Sequence, residues 1–397
     1  MTILNYIIWN PDPIIFRVGA LEIRWYSLLI LLAFLGGREL VKHIYRKVGR
    51  PPEDADSLSV WVMFSALIGA RLGEVFFYNF GYYLRHPIEA FLPITFEPHF
   101  KFTGYRGLAY HGAIVGSLIG IYLYSNYFIG LRGFPPRLRI KRQKKKKQNF
   151  LWLSTPLALG VMMGFLVRIG NFVNSEIVGT PTGGEYGVLF VNDVVEQLQY
   201  STEAIAQVKV RKSSTSTTHQ AYQPVTLEVT FKNAGYEEGA IRSFLEKHVK
   251  QHLTASESIR KHVYEPSEQP LNYKLSKTRK NAYVAQIQTW GIPRHPVQLY
   301  ESIAYLITLL LHFYWWRQRH KTLPAGVLAG SAMFFCYSLR FLGEFFKEPF
   351  NILFEGVVTL TMGHLLSLLT VLGGIVLASY GYVVHKKHEP ERKKEVA

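Results

Sequence analysis

Apolar stretches of membrane length alternate along this chain with short loops rich in Lys and Arg, and one long polar stretch interrupts the series. A run of roughly 18 or more apolar residues can span the hydrocarbon core. The pattern predicts seven such helices, near 24–41, 58–78, 108–129, 151–173, 297–316, 325–346 and 357–384. The stretch between the fourth and fifth, 180–293, is too long for a connector. Within it "PVTLEVTFKN" alternates Val225, Leu227, Val229 and Phe231, which reads as a strand. "YEEGAIRSFLEKHVKQHL" puts Ile241, Phe244, Leu245 and Val249 on one helical face, with acids at its start. "NAYVAQIQTW" reads as a second strand, and "KSSTSTTHQ" (212–220) as a flexible turn between strands. The expected fold is an all-α polytopic membrane protein with seven transmembrane helices, plus a small α+β extracytoplasmic domain inserted between helices four and five. Residues 1–179 would carry helices one to four, 180–293 the inserted domain, and 294–397 helices five to seven with a basic cytoplasmic tail.

Charge fixes the orientation. The formal net charge is +17, with a pI of about 9.7, a balance that could suggest a nucleic-acid partner. Its placement argues otherwise. The densest block, "LRGFPPRLRIKRQKKKKQ" (131–148), holds no acidic residue and lies between two apolar helices. "KHIYRKVGR", "RQRHK" and "HKKHEPERKK" follow spans one, five and seven. With seven spans all four basic segments share one side, which is the cytoplasmic side. The N-terminus then lies outside and the C-terminus inside; an even number of spans would break the agreement. The basic block therefore reads as a topological and anionic-lipid element, and no nucleic acid is expected as partner. Residues 1–22 lack the basic n-region of a signal peptide, so the N-terminus is expected to be retained. The single cysteine, Cys336, lies inside an apolar helix and reads as a small buried hydrophobe. It can form no disulfide within the chain and no cysteine metal site, so any thiol in the chemistry must come from the substrate.

Polar residues inside the apolar stretches carry the functional signal. Ionisable groups at membrane depth are costly and mark a pathway or a site. "GARLGEVFFYN" holds Arg71 and Glu74, and "GYRGLAYHGAIVG" holds His111, followed by Gly112. "RIGNFVNSEIVG" ends the fourth span with Arg168, Asn171, Asn174 and Glu176. In "RHPVQLYE", Arg294, Gln298 and Glu301 fall on one stripe; Tyr337, Arg340 and Glu344 form another, and "RWYS" offers Tyr26. Taken singly, Arg71–Glu74 and Arg340–Glu344 could be paired struts and His111 a hydrogen-bonded core residue. Together, four arginines and three or more carboxylates gather at the outer ends of spans two, four, five and six, which exceeds what helix packing uses. Guanidinium binds phosphate in a bidentate fork. The residues thus describe a cavity for a phospholipid, open toward the outer leaflet, with His111 or Tyr26 as candidate base. Gly112 is read as leaving room for a lipid or peptide backbone. A transporter or flippase for an anionic lipid would also need such arginines. It would show internal repeats, and the two halves show no convincing one. A membrane scaffold would leave the polar residues unexplained.

"RIGNFVNSEIVG" resembles the signature of prolipoprotein diacylglyceryl transferases, and "YHGAIVG", "RHPVQLYE", "LRFLGEFFKEP" and "LTMGHLLS" resemble further blocks of that family in the same order. The resemblance covers nearly all the membrane part and leaves out the loop domain. It implies a bacterial cytoplasmic (inner) membrane enzyme that moves the diacylglyceryl group of phosphatidylglycerol to the lipobox cysteine of a preprolipoprotein signal peptide, releasing glycerol phosphate. It also implies membrane lipids as surroundings, no cofactor and no metal. By matching position Tyr26, His111, Arg168, Asn171, Glu176, Gly179, Arg340 and Glu344 inherit functional roles. The candidate catalytic residues are His111, Tyr26, Arg168 and Arg340. The candidate substrate-binding residues are Arg71, Asn171, Asn174, Glu176, Gly179, Arg294, Tyr337 and Glu344. Three departures stand out: Val167 where the family has Gly, Ala113 as the second of two usual glycines, and His364 where Gln is common. The loop domain is longer than the family's and is expected to shape the entrance for the preprolipoprotein.

Overall fold

A computed structural model of the chain describes residues 5–18, 21–92, 94–95, 100–102, 109–132, 137–142, 150–184, 186–213, 222–232, 235–278, 281–356 and 359–396. Most of "KSSTSTTHQ" and much of the basic block lie outside these residues. In chain order the helices are α1 (Trp25–Lys47), α2 (Pro52–Phe77), α3 (Phe80–Arg85), α4 (Pro87–Phe91), α5 (Tyr110–Asn126), α6 (Phe150–Val161), α7 (Phe165–Val173), α8 (Asn192–Tyr200), α9 (Glu238–Phe244), α10 (Lys250–Ala255), α11 (Glu257–Arg260), α12 (Val297–Arg319), α13 (Val327–Glu344) and α14 (Met362–Val396). The strands are β1 (Asn5–Trp9), β2 (Ile14–Val18), β3 (Leu21–Arg24), β4 (Ile94–Thr95), β5 (Lys101–Phe102), β6 (Tyr127–Arg132), β7 (Arg137–Arg142), β8 (Tyr186–Phe190), β9 (Ile205–Lys212), β10 (Gln223–Phe231), β11 (Val263–Tyr264), β12 (Tyr273–Lys277), β13 (Tyr283–Gly291), β14 (Ile352–Phe354) and β15 (Leu360–Thr361). The chain divides into two compact units.

One unit comprises Leu29–Val167, Glu301–Phe345 and Pro349–Ala397 and is helical. Helices occupy all seven predicted apolar segments. Among the described residues three stretches, Pro52–Phe77, Phe150–Val173 and Met362–Lys387, are long and apolar enough to cross a membrane. The fourth segment is broken: a 3₁₀ turn at Met162–Gly164 separates α6 from α7. Helix α5 ends at Asn126, earlier than predicted, and its capping residue Tyr127 opens the β6–β7 hairpin. The tightest packing joins α2 to α5. A Cβ on Gly69 or Gly73 would meet the backbone of Gly112, and one on Gly116 would meet Ser65 and Gly69. Small residues let two backbones approach where helices cannot rely on a hydrophobic drive. This corrects the reading of Gly112: its bare face is filled by α2, not kept open for a substrate.

The other unit comprises Met1–Leu28, Arg168–Tyr300 and Phe346–Glu348. Its sheet runs β11–β13–β10–β9, with β12 also on β13, all antiparallel. Alternation buries Val225, Leu227, Val229 and Phe231 against Ile241, Leu245 and Val249, as the period-2 and helical patterns predict. The helix is interrupted by a π turn at Leu245–Val249. The N-terminal segment, which hydropathy leaves unassigned, joins this unit. Strand β1 lies parallel to β8, pairing Ile7 with Val188, and the fully buried Tyr6 donates its hydroxyl to Pro224 O at 2.9 Å. A five-residue strand whose partner lies far along the chain leaves no local signal.

His262 is buried in this unit, its ring edge-on to Phe190. Burial, then the positive charges of Arg294 and Lys261, push its pKa down to about 3. The fold therefore holds a neutral imidazole, whereas the unfolded chain protonates near pH 6.5. The stability this contributes is complete above pH 6.5 and is lost as pH falls toward 3. His262→Leu should flatten the fall of the thermal midpoint between pH 6.5 and 4, measured on the full chain in detergent; an unchanged slope would assign the acid sensitivity elsewhere.

Candidate active site

The signature segment builds a chain of polar contacts at the end of α7. Arg168, only 7% exposed, donates through Nη1 to Asn171 Oδ1 at 3.4 Å. Asn171 Nδ2 donates to Glu176 Oε2 at 3.1 Å, and Asn174 Nδ2 to Glu176 Oε1 at 3.3 Å. Both carboxylate oxygens are thus held by neutral amides, and the carboxylate itself is exposed. This needs a sharp reversal after α7. Ser175 (φ +57°) and Ile177 (φ +56°) adopt it in the left-handed region, which is costly for a β-branched residue. Gln298 Nε2 steadies the turn by donating to Glu176 O at 2.6 Å. The Tyr26 ring lies against Gly170, within electrostatic reach of Arg168 and Glu176. Tyr26, Arg168, Asn171, Asn174 and Glu176 therefore form one cluster.

Residues without a functional reading in the sequence brace that cluster. Trp9 Nε1 donates to Phe172 O at 2.9 Å, and the two rings lie 4.4 Å apart. Asn192 accepts from Ser175 Oγ at 3.0 Å and donates to Pro11 O at 3.2 Å, tying the strained residue to the N-terminal segment. Gly179 and Arg294, read from the sequence as substrate-binding, are held against the backbone here. A Cβ on Gly179 would meet His295 O and Phe346 O, and Gly179 N donates to His295 O at 3.0 Å. Arg294, 3% exposed, donates to Lys261 O at 2.7 Å and Gly179 O at 2.8 Å and pairs with Glu348. Its Nε and Nη1 are spent on protein groups, which suits positioning rather than phosphate contact.

Three further groups lie in the helical unit. Arg340 and Glu301 form an ion pair at 3.4 Å, with side chains 11% and 3% exposed. The expected partner of Arg340 within its own helix, Glu344, accepts from Thr361 Oγ1 at 3.1 Å. Glu301 was legible as the last member of the Arg294–Gln298 stripe; Thr361 carried no signal. His111 is 5% exposed, and its ring centroid lies 6.1 Å from that of the buried Tyr337. Arg71 donates through Nε to Ala90 O at 2.8 Å, bonds Glu89 O, and lies over the Tyr83 ring. It caps the C-terminal carbonyls of α4. Glu74 accepts from Asn79 Nδ2 at 2.6 Å. Val167 and Ala113, two of the departures, line an apolar groove of about 460 Å³ among α1, α2, α5 and α6.

Helices long and apolar enough to cross a membrane, with a buried guanidinium–carboxylate pair in the helical unit, mark a membrane protein. The chain belongs to the prolipoprotein diacylglyceryl transferase family, whose profile matches residues 13–380. It is similar to the phosphatidylglycerol–prolipoprotein diacylglyceryl transferase of Tolumonas auensis, at 28% identity over 93% of this chain and 95% of the relative. The enzyme of that name from Chloroherpeton thalassium is 26% identical over 94% and 93%. The one from Helicobacter pylori is 31% identical over 50% and 67%.

The remaining departure has a physical account. His364 Nδ1 accepts the backbone N–H of Thr361 at 3.1 Å, three residues back at the start of α14, and meets the Thr361 hydroxyl at the same distance. This is the reciprocal half of a capping box, where Glu or Gln usually stands. His364→Gln should retain near-normal thermal stability in nanodiscs, whereas His364→Leu should lose about 1 kcal/mol. Equal stability of the two variants would deny the capping role.

Proposed function

We propose that this chain transfers the diacylglyceryl group of phosphatidylglycerol to the lipobox cysteine thiol of a preprolipoprotein in the bacterial inner membrane, forming a thioether and releasing glycerol phosphate. The reading is carried by family membership over nearly the whole chain with every polar residue of the signature in place. The thiol sulfur attacks the glyceryl carbon that bears the phosphate ester; the C–O bond breaks and its electron pair goes to the phosphate oxygen. The leaving group gains negative charge as it departs. In this reading Arg168 and Arg340 stabilise that charge, as preorganised donors do in many active sites. Tyr26, Asn171, Asn174, Glu176, Tyr337 and Glu344 bind or orient the lipid and peptide, while Arg71, Gly179 and Arg294 hold the surrounding backbone. Incubating the reconstituted chain with phosphatidylglycerol and a lipobox peptide should give a diacylglyceryl thioether by mass spectrometry. Arg340→Lys keeps the charge and loses the fork, so its kcat should fall on the order of 10²-fold or more. Unaltered turnover in that variant would end the bidentate role, and absence of any thioether would end the reaction.

The base is His111 in this reading. A thiol of pKa near 8.5 is only a few per cent ionised at neutral pH, and a neutral imidazole can take its proton. Tyr26 is the weaker candidate, since a phenol must first lose its own proton, which an ordinary phenol does only near pH 10. His111→Gln should lose much of its kcat at pH 7 and recover part of it toward pH 9, as more thiol ionises unaided. A normal kcat with the wild-type pH profile would remove His111 from proton transfer.

The membrane arrangement that accompanies this reading has seven crossing helices, the N-terminus outside and the C-terminus in the cytoplasm. Residues 180–293 form an inserted extracytoplasmic α+β domain that shapes the peptide entrance. Ser267 is exposed in that stretch. A cysteine there, with Cys336→Ala, should react with an impermeant maleimide on intact spheroplasts. Labelling only after lysis would invert the topology.

A further inference from the structure

Two amide side chains hold Glu176, and each has an oxygen left over. Asn174 donates through Nδ2 to Glu176 Oε1 at 3.3 Å. Gln298, only 1% exposed, donates through Nε2 to Glu176 O at 2.6 Å. These bonds fix which way each amide points. A carboxylate or carbonyl oxygen needs a donor, so the NH₂ end of the amide must face it and the amide oxygen must turn away. Asn174 Oδ1 and Gln298 Oε1 are buried and have no hydrogen-bond partner among the described residues. An amide oxygen kept from water without a donor is costly and calls for a reason. Electrostatics limits what can satisfy the two. Around Glu176 the groups on offer are these amide oxygens and an exposed carboxylate, all of them acceptors. A phosphate would be repelled there and a hydroxyl held. The cation stands at the other end of the same chain of contacts, where Arg168 bonds Asn171 and Asn171 bonds Glu176. The cluster thus runs from a guanidinium to a set of acceptors. The head group of phosphatidylglycerol runs the same way, from a phosphate to a glycerol with two free hydroxyls.

We infer that Asn174, Glu176 and Gln298 form a subsite for the hydroxyls of the lipid head group, which selects phosphatidylglycerol over an anionic phospholipid that lacks them. Resting on the lipid substrate proposed above, this assignment adds Gln298 to the residues that touch it; in the sequence Gln298 stands out only as a member of the Arg294 stripe. It also divides the labour within the signature, with the phosphate toward Arg168 and the glycerol toward Glu176. A site built to hydrogen-bond a substrate hydroxyl rejects the analogue without it, because the site's own buried groups are then left unpaired.

The test reads binding and needs no turnover. The full chain in detergent is offered equimolar phosphatidylglycerol and phosphatidylpropanol with the same acyl chains, and the bound lipids are counted by native mass spectrometry. The two head groups carry the same charge, and the second has no hydroxyl. The chain should take up phosphatidylglycerol in preference, by a ratio on the order of tenfold. Gln298→Met and Asn174→Leu should each bring that ratio several-fold closer to one. A merely structural loss would weaken both lipids together and leave the ratio where it was, so the ratio separates the two roles even in a variant of low stability. Equal uptake by the wild-type chain would overturn the inference, and so would a ratio that neither substitution moves. Phosphatidylethanolamine, whose ammonium is also a donor, is offered as a third competitor, and its uptake in preference to phosphatidylglycerol would have the same consequence. Because binding is read, the preference can fail in a chain that still makes the thioether and can hold in one that makes none.

Discussion

A guanidinium cannot shed its charge, so a buried one dictates its surroundings. Arg168 is the clearest case. Its guanidinium is linked by hydrogen bonds through the neutral amide of Asn171 to Glu176, which reaches the surface. That geometry requires the chain to reverse within a few residues of the end of α7. The reversal in turn demands left-handed backbone at Ser175 and Ile177. Such strain persists only where neighbours over-determine it, and the bonds from Asn192 and Gln298 together with the Trp9 stack supply that constraint. Arg340 meets the same requirement differently, with a buried carboxylate on a neighbouring helix, Glu301.

The helical segments were legible because each depends on local hydropathy, and the inserted strands because burial on one face enforces alternation. What was not legible depends on partners distant in sequence. Strand β1 is recognisable only once β8 is beside it. Gly112 and Gly179 look alike in the sequence as flexible points near polar residues, yet one is filled by a facing helix and the other by crossing backbone. Arg71 and Arg294 carry the same charge as Arg168 and Arg340; their bonds to backbone carbonyls, which the sequence does not show, set them apart.

His364 shows how a departure from a family pattern can preserve a physical role. The start of α14 needs an acceptor three residues into the helix for the N–H of Thr361, and an imidazole nitrogen serves as an amide oxygen would. Because the Thr361 N–H binds His364 while its hydroxyl donates to Glu344, the capping contact and the placement of a candidate site carboxylate are linked through one residue.

Tyr6 bonds a carbonyl 218 positions further along the chain. During synthesis the first strand emerges long before β8 or β10 exists, and α1, α2, α5, α6 and α7 are made in between. The segment must therefore wait unpaired until β8 is translated, a long-range closure of the kind that slows folding. Because Trp9 and Pro11 also brace the signature turn, the polar cluster around Arg168 reaches its final shape late in assembly, when the two ends of that unit meet. A nascent enzyme of this design would stay inactive until the unit that holds this cluster is fully made.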